Sequence, residues 1–209
     1  MGLWTERVVP HIVDRALSTA DVMSLRDAAC AGLAGRVLEL GFGSGLNADA
    51  YSPAVTGIDA VEPSDVGWSM SAKRRRSTPV PIARVGLDGQ RLQAQDASYD
   101  AVLSTFTLCT IPDVGAALTE VRRVLRPGGS FHFLEHGRSP DLSVARWQHR
   151  LDPLERRVAG GCHLSRDIPA LVSAAGLEVV GLETAYLPGP AVARPWNYVF
   201  NGRAVPSLV

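Results

Sequence analysis

No apolar run in this 209-residue chain approaches the ~18 residues that a membrane-crossing helix needs. The opening stretch, Met1 to Pro10, carries Glu6 and Arg7 and shows no signal-peptide pattern. Cysteine is scarce: Cys30, Cys109 and Cys162 are an odd, widely spaced set without a C-x-x-C pair. Such a set is neither a disulfide framework nor a zinc signature, and it suits a reducing cytoplasm. The 5 histidines are scattered along the chain, and no protein-bound metal is expected. An excess of either charge is also missing. The 21 Lys and Arg balance the 21 Asp and Glu, which removes the electrostatic reason to expect a nucleic-acid partner. The one basic run, Lys73-Arg74-Arg75-Arg76, reads as a solvated helix end. Internal repeats and low-complexity linkers are absent, and a single domain over 1–209 is the simplest organisation for this length.

What the chain does have is glycine at an informative spacing. In Val37-Leu38-Glu39-Leu40-Gly41-Phe42-Gly43-Ser44-Gly45 an apolar segment runs into an acid and then into glycines at alternate positions. The first part suits a buried parallel strand, and the second a tight turn that lets a ligand approach the backbone. A dinucleotide fingerprint, G-x-G-x-x-G, would need its third glycine at 46, where this chain has Leu46. A nicotinamide dehydrogenase is therefore disfavoured.

The rest of the chain alternates strand and helix. A helix over about 18–33 precedes a first strand at 36–41, and a further helix is expected after Gly45, ending near Pro53. A second strand covers Val55 to Val61, a helix Gly67 to Arg76, a short strand Val80 to Val85, and a fourth strand Asp100 to Phe106. Asp113 caps a helix with Val114, Ala117, Leu118, Val121 and Leu125 at helical spacing. After the turn Arg126-Pro127-Gly128-Gly129, a fifth strand runs from Ser130 to Glu135. Asp141 to Val158 reads as a helix that Pro153 should kink or divide. Ile168 to Ala175 reads as the last helix. Two late strands, Leu177 to Thr184 and Asn197 to Val205, lack a helical crossover and so predict an antiparallel pair at the sheet edge. The alternation implies a parallel sheet with helices on both faces.

In such sheets ligands bind beyond the carboxyl ends of the strands. The ends here carry Gly41 to Gly45, then Glu62-Pro63-Ser64, Asp88-Gly89, Ser104-Thr105-Phe106 and Glu135-His136. A carboxylate after the second strand can accept both hydroxyl hydrogens of a ribose. Glu62 is preferred to Asp59 for this, because the strand reads through Val61. Asp-Gly at 88–89 is also an ordinary turn pair.

The pieces LELGFGSG, AVEPS, GLDGQRL, YDAVLSTFTLCTIPD and VRRVLRPGG together resemble the class I S-adenosylmethionine (SAM)-dependent methyltransferases over essentially the whole chain. The resemblance implies an α/β, Rossmann-like, doubly wound seven-stranded sheet, mostly parallel with an antiparallel last strand, and SAM as the methyl donor. It implies a cofactor turn made by Glu39, Gly41, Phe42, Gly43, Ser44, Gly45 and Asn47. Glu62, Pro63 and Ser64 would hold the ribose, Asp88 and Gly89 the adenine edge, and Ser104, Thr105 and Phe106 would lie near the sulfonium. Residues 1–35 would form cover helices and 137–167 a lid and acceptor segment. Cys109 stands where many members of the family carry His and is read as packing.

Downstream, Glu135-His136, Trp147-Gln148, Leu151-Asp152-Pro153, the run Gly161 to Arg166, and Arg194-Pro195 look like the animal methyltransferase-like thiol S-methyltransferases. They are also similar to small bacterial phospholipid N-methyltransferases. This implies a small-molecule acceptor, a thiol first and a lipid head-group amine second, with a SAM-binding protein without catalysis as the remaining alternative. The animal proteins carry an N-terminal membrane segment that has no counterpart here. Peripheral contact through Arg146, Arg150, Arg156 and Arg157 beside Trp147 is the remaining route to a lipid surface. His136, with a structural histidine as its alternative, is the first candidate proton acceptor and His163 the second. Asp152 and Arg166 are read as a pair fixing the lid, and Trp147 and Trp196 as walls of the acceptor pocket.

Overall fold

In the computed structural model, which describes residues 3–207, seven strands form one sheet. They are β1 (Gly35–Leu40), β2 (Val55–Val61), β3 (Ile82–Gly86), β4 (Tyr99–Thr105), β5 (Leu125–His136), β6 (Leu177–Tyr186) and β7 (Tyr198–Pro206). Their order is β3-β2-β1-β4-β5-β7-β6. The first five are parallel, and β7 runs antiparallel to both β5 and β6. The late pair is therefore where its missing crossover placed it. Three helices, α1 (Leu3–Arg7), α2 (Val9–Ala16) and α3 (Ala20–Cys30), precede the sheet. The others are α4 (Asp65–Met70), α5 (Ala72–Ser77), α6 (Val114–Val124), α7 (Leu142–Val158), α8 (Ile168–Ala174) and α9 (Arg194–Asn197). No helix among the described residues is long and apolar enough to cross a membrane.

Strand alternation splits the core into two layers. Val37, Ala101 and Leu103 pack with Cys30 and Leu33 on the α3 side of the sheet. Leu38, Leu40 and Val102 turn the other way, onto Leu118 and Val121 of α6 and Ile168 and Val172 of α8. Asp113 caps α6 by accepting the Ala116 N–H, as its position before the apolar stripe predicts.

Three expectations need correction. The segment after Gly45 forms successive turns rather than a helix. Its backbone bonds run three residues back, from Gly45 to Phe42, Ala48 to Gly45 and Ala50 to Asn47, and the Asn47 side chain is held inward by Glu39. The helix expected over 67–76 is two short ones, α4 and α5, meeting at Ser71, whose hydroxyl donates to the Trp68 carbonyl. Pro153 does not divide α7, which is continuous from Leu142 to Val158. Its fixed φ fits a helix, and the cost is one lost N–H bond.

Sheet order reverses between β1 and β4, the crevice where doubly wound sheets take their ligands. Around it the chain adds two covers. Asp14 of α2 accepts the Ser44 hydroxyl at 2.6 Å and Arg74 at 2.8 Å, which ties the N-terminal helices to the glycine turn. Trp4 of α1 donates its indole N–H to the carbonyl of Val158 at the end of α7.

Candidate active site

The glycine turn leaves β1 with Gly41, Gly43 and Gly45 all at positive φ. Two of these glycines do different work. A Cβ on Gly41 would overlap the Thr107 side chain, so Gly41 lets the turn pack against the loop after β4. A Cβ on Gly43 would meet nothing nearer than the Gly41 carbonyl oxygen at 3.9 Å. Its outer face is open, as a ligand cradle requires.

Glu62 stands directly beside this opening. Its Oε2 accepts the Gly43 N–H at 2.5 Å and its Oε1 accepts the Ser64 N–H at 2.6 Å. Burial raises its pKa, and the two backbone bonds act against that rise. Each oxygen keeps a further lone pair for an incoming hydroxyl. The rival Asp59 lies within β2 and is occupied, since it accepts Arg36 at 2.6 Å and the Tyr99 hydroxyl at 2.8 Å. Pro63 follows in the turn, and Ser64 caps α4 by accepting the Gly67 N–H.

Beneath the turn is a closed polar network. Asn47 donates to Glu39 Oε1 at 2.9 Å and to Thr105 Oγ1 at 3.0 Å, and Tyr51 donates to Glu39 Oε2 at 2.5 Å. Arg26 of α3 donates to Asn47 Oδ1 at 2.8 Å and Thr105 Oγ1 at 2.9 Å. Its guanidinium lies over the Phe106 ring, 5.3 Å from the centroid, and its Nε is buried without a partner. Phe106 itself has φ +52°, an unusual conformation for a bulky residue that often marks a ligand site. Ser104 donates to Glu135 Oε1 at 2.7 Å, and the Thr107 N–H bonds both Glu135 oxygens.

The structure thus gathers Glu39, Phe42, Gly43, Asn47, Glu62, Thr105 and Phe106 at the carboxyl ends of β1, β2 and β4. Phe42 packs its ring on Trp68 at 5.5 Å, and Ser44 faces Asp14, so these two shape the turn. Asp88 is exposed, and its Oδ1 is taken by the backbone and side chain of Gln90 in a local turn. Gly89 packs toward Leu40. Arg26 and Asp14 were not singled out in the sequence. An Arg at a buried position of an otherwise amphipathic helix was the signal available for the first. Nothing in the local sequence marked the second.

On the acceptor side His136 is buried at the end of β5, with a ring nitrogen 3.0 Å from Cys162 Sγ. Burial opposes its charge, yet Cys162 and Glu135 hold its pKa above the ordinary value. Cys162 is pulled downward, first by a hydrogen bond from Cys109 and also by His136. His163 lines a cleft of about 480 Å³ together with Thr110, Pro112, Arg156 and Gly161. Its Nδ1 is 3.7 Å from Asp152, and burial followed by the charge of Arg166 lowers its pKa.

Asp152 and Arg166 do not pair with each other as expected. Asp152 instead accepts the N–H groups of Leu164 and Ser165, while Arg166 donates to the carbonyls of Leu108 and Pro112. Each fixes backbone because two loops had unpaired groups to offer. Trp147 and Trp196 lie largely on the surface, and neither lines the cleft. Arg194 stacks over Tyr186.

The sheet order, the glycine turn and the acid after β2 define a doubly wound α/β protein whose β1–β4 switch point carries the glycine turn. Residues 38–133 match a family profile described as "Methyltransferase domain". Thiol S-methyltransferase TMT1B of Rattus norvegicus is 33% identical over 172 residues, covering 81% of this chain and 70% of that protein. The human TMT1B is 36% identical, over 65% of this chain and 58% of its own length. Phosphatidylethanolamine N-methyltransferase of Cereibacter sphaeroides is 31% identical, over 74% of this chain and 75% of that one. Among solved structures, a SAM-dependent methyltransferase from Thermotoga maritima superposes with a TM-score of 0.69 at 22% identity, covering 99% of this chain and 100% of the other. The chain belongs to the class I SAM-dependent methyltransferases, in the group that holds the thiol S-methyltransferases and small bacterial phospholipid N-methyltransferases. It is a methyltransferase with SAM as its cofactor.

Two predictions concern the turn itself. Gly41→Ala forces a Cβ onto Thr107 at positive φ and should destabilise the fold by about 1–3 kcal/mol, read as a lowered Tm. Glu39 is raised to about 7 from an ordinary value near 4.5, chiefly by burial and against its bonds from Tyr51 and Asn47. The folded protein therefore keeps a proton that the unfolded chain releases. Stability is greatest below the unfolded value and drains as pH rises to about 7. Wild-type Tm should fall across that window more steeply than that of Glu39→Gln, and parallel slopes would show that Glu39 does not carry the proton.

Proposed function

We propose that the protein methylates the sulfur of a small thiol, and that Gly43, Glu62 and Arg26 are its principal cofactor contacts. The observation that carries the cofactor half is the open face of Gly43 beside a carboxylate with lone pairs to spare. When bound, SAM supplies an electrophilic methyl on a sulfonium, together with a ribose and an amino-acid end. Glu62, oriented by the N–H groups of Gly43 and Ser64, accepts the ribose hydroxyl hydrogens. Arg26 meets the carboxylate of the amino-acid end through its unpartnered Nε. Asp88 keeps one oxygen free for the adenine amine, with the backbone at Gly89 beside it. Ser104 and Thr105 act through Glu135, Asn47 and Arg26, fixing the strand end on which Phe106 stands.

For the acceptor, support comes from animal relatives that bear the name thiol S-methyltransferase at 33% and 36% identity. A free thiol has a pKa of about 8.5, so a few per cent is thiolate at neutral pH and alignment is the main task. His163, whose ring lines the cleft, takes the thiol proton, while His136 orders Cys162 from behind. The segment 137–167 provides the acceptor wall, and 3–35 the cover over the cofactor. Three free cysteines fit a reducing cytoplasm. The second reading, N-methylation of a phospholipid head group, draws on the bacterial relative and on exposed Trp147, Leu154 and Val158 of α7 beside Arg150, Arg156 and Arg157.

Gly43→Val should abolish SAM binding while the protein still folds, and Glu62→Ala should weaken it by about 1–3 kcal/mol, both by calorimetric titration. Unchanged affinity in either would remove that residue from the site. Purified protein given methyl-labelled SAM and either a small alkyl thiol or dispersed phosphatidylethanolamine should label the thioether. His163→Ala should lower kcat without altering SAM affinity. Label in the lipid alone would establish the second reading instead.

A further inference from the structure

Three side chains from distant parts of the chain converge behind the acceptor cleft. Cys109 lies in the loop after β4, His136 closes β5, and Cys162 sits in the turn after α7. One ligating atom from each lies within 4.8 Å of the others. The residues are 2%, 8% and 9% exposed respectively, so the cluster is shut away from bulk water. Leu164, Leu151 and Ala159 pack around the two sulfurs. One nitrogen of the His136 ring faces Cys162, and the other is buried with no hydrogen-bond partner. No disulfide joins the sulfurs, since both cysteines are free.

The geometry points to a soft-metal site: we propose that Cys109, His136 and Cys162 bind one zinc-like ion whose open fourth position takes the acceptor thiol. Thiolate and imidazole donors select zinc over magnesium or calcium, which require oxygen. A tetrahedral zinc with bonds of about 2.3 Å to sulfur and 2.0–2.1 Å to nitrogen holds its ligand atoms roughly 3.5–3.8 Å apart. The present cluster needs only small side-chain adjustments to reach that spacing. Two cysteines and one histidine are also the ligand set of a zinc site that keeps one position for substrate.

Access to that position is through the cleft. Thr110 follows Cys109, Gly161 and His163 bracket Cys162, and all three line its wall. A thiol that ligates zinc loses its proton to solvent on binding. The thiolate sulfur then forms a bond to the methyl carbon as the carbon–sulfonium bond breaks. The electron pair of the broken bond stays on the cofactor sulfur, which becomes a neutral thioether. The three-residue site stands by itself. The fourth-ligand assignment rests on the thiol reading above.

The test begins with metal content. Protein purified without chelator, under a phosphine reductant, should carry one zinc per chain by mass spectrometry of the digested sample, or take up one from added zinc chloride. Cys109→Ser and Cys162→Ser should lose the metal while SAM still raises their Tm, which shows that they fold. Replacement with cobalt chloride should give a thiolate-to-cobalt charge-transfer band, and butanethiol should shift the visible bands by adding a ligand. No zinc uptake by the wild-type chain, or uptake undiminished in both variants, overturns the site. A Cys109–Cys162 disulfide that forms in the presence of zinc does the same. Metal binding without a butanethiol response overturns the open position alone. Thioether formation by metal-free protein would leave the thiol reading and the three-residue site intact and overturn the fourth-ligand assignment.

Discussion

The structure depends on the buried hydrogen bonds that fasten the turn after β1 to the end of β4. Asn47, Thr105, Arg26 and Glu39 meet there, contributed by the glycine turn, two neighbouring strands and a helix from the N-terminal cover. Each bond satisfies a polar group that burial would otherwise penalise, so the network holds together or fails as a whole. It fixes the spacing between the two strand ends at which the sheet order reverses. The open face of Gly43, the carboxylate of Glu62 and the unusual backbone of Phe106 all inherit their positions from it.

Much of the architecture could be read in the sequence because it rests on local pattern. The β1 run, the Val55–Val61 strand, the Asp113 cap and the final antiparallel pair announced themselves through periodicity, turn chemistry or a missing crossover. The errors arose where a distant partner overrode local preference. The segment after Gly45 would suit a helix, but Asn47 turns inward to Glu39. Pro153 should kink or divide its helix, yet α7 runs on past it without a break.

The same division runs through the candidate site. The places of Gly43 and Glu62 were legible because they depend on short-range geometry at strand ends. Arg26 was not, since its importance comes from residues far along the chain. Asp152 and Arg166 look like a pair in sequence, yet each found a nearer backbone partner. Cys109, His136 and Cys162 lack any recognisable spacing because three separate elements deliver them. Spacing rules look for side chains carried on one helix or one knuckle, and a cluster assembled by topology carries no such spacing.

The central position of β1 has a kinetic consequence. Its neighbours are β2, a short step along the chain, and β4, which begins only at Tyr99. The β1–β4 pairing must close a long loop before it gains any stability, and such pairings form late and slowly. The cofactor crevice lies across that seam. A nascent or partly refolded chain would hold the β1–β2 unit and its glycine turn before the β1–β4 seam closes, which makes closure of that seam a step distinct from formation of the turn.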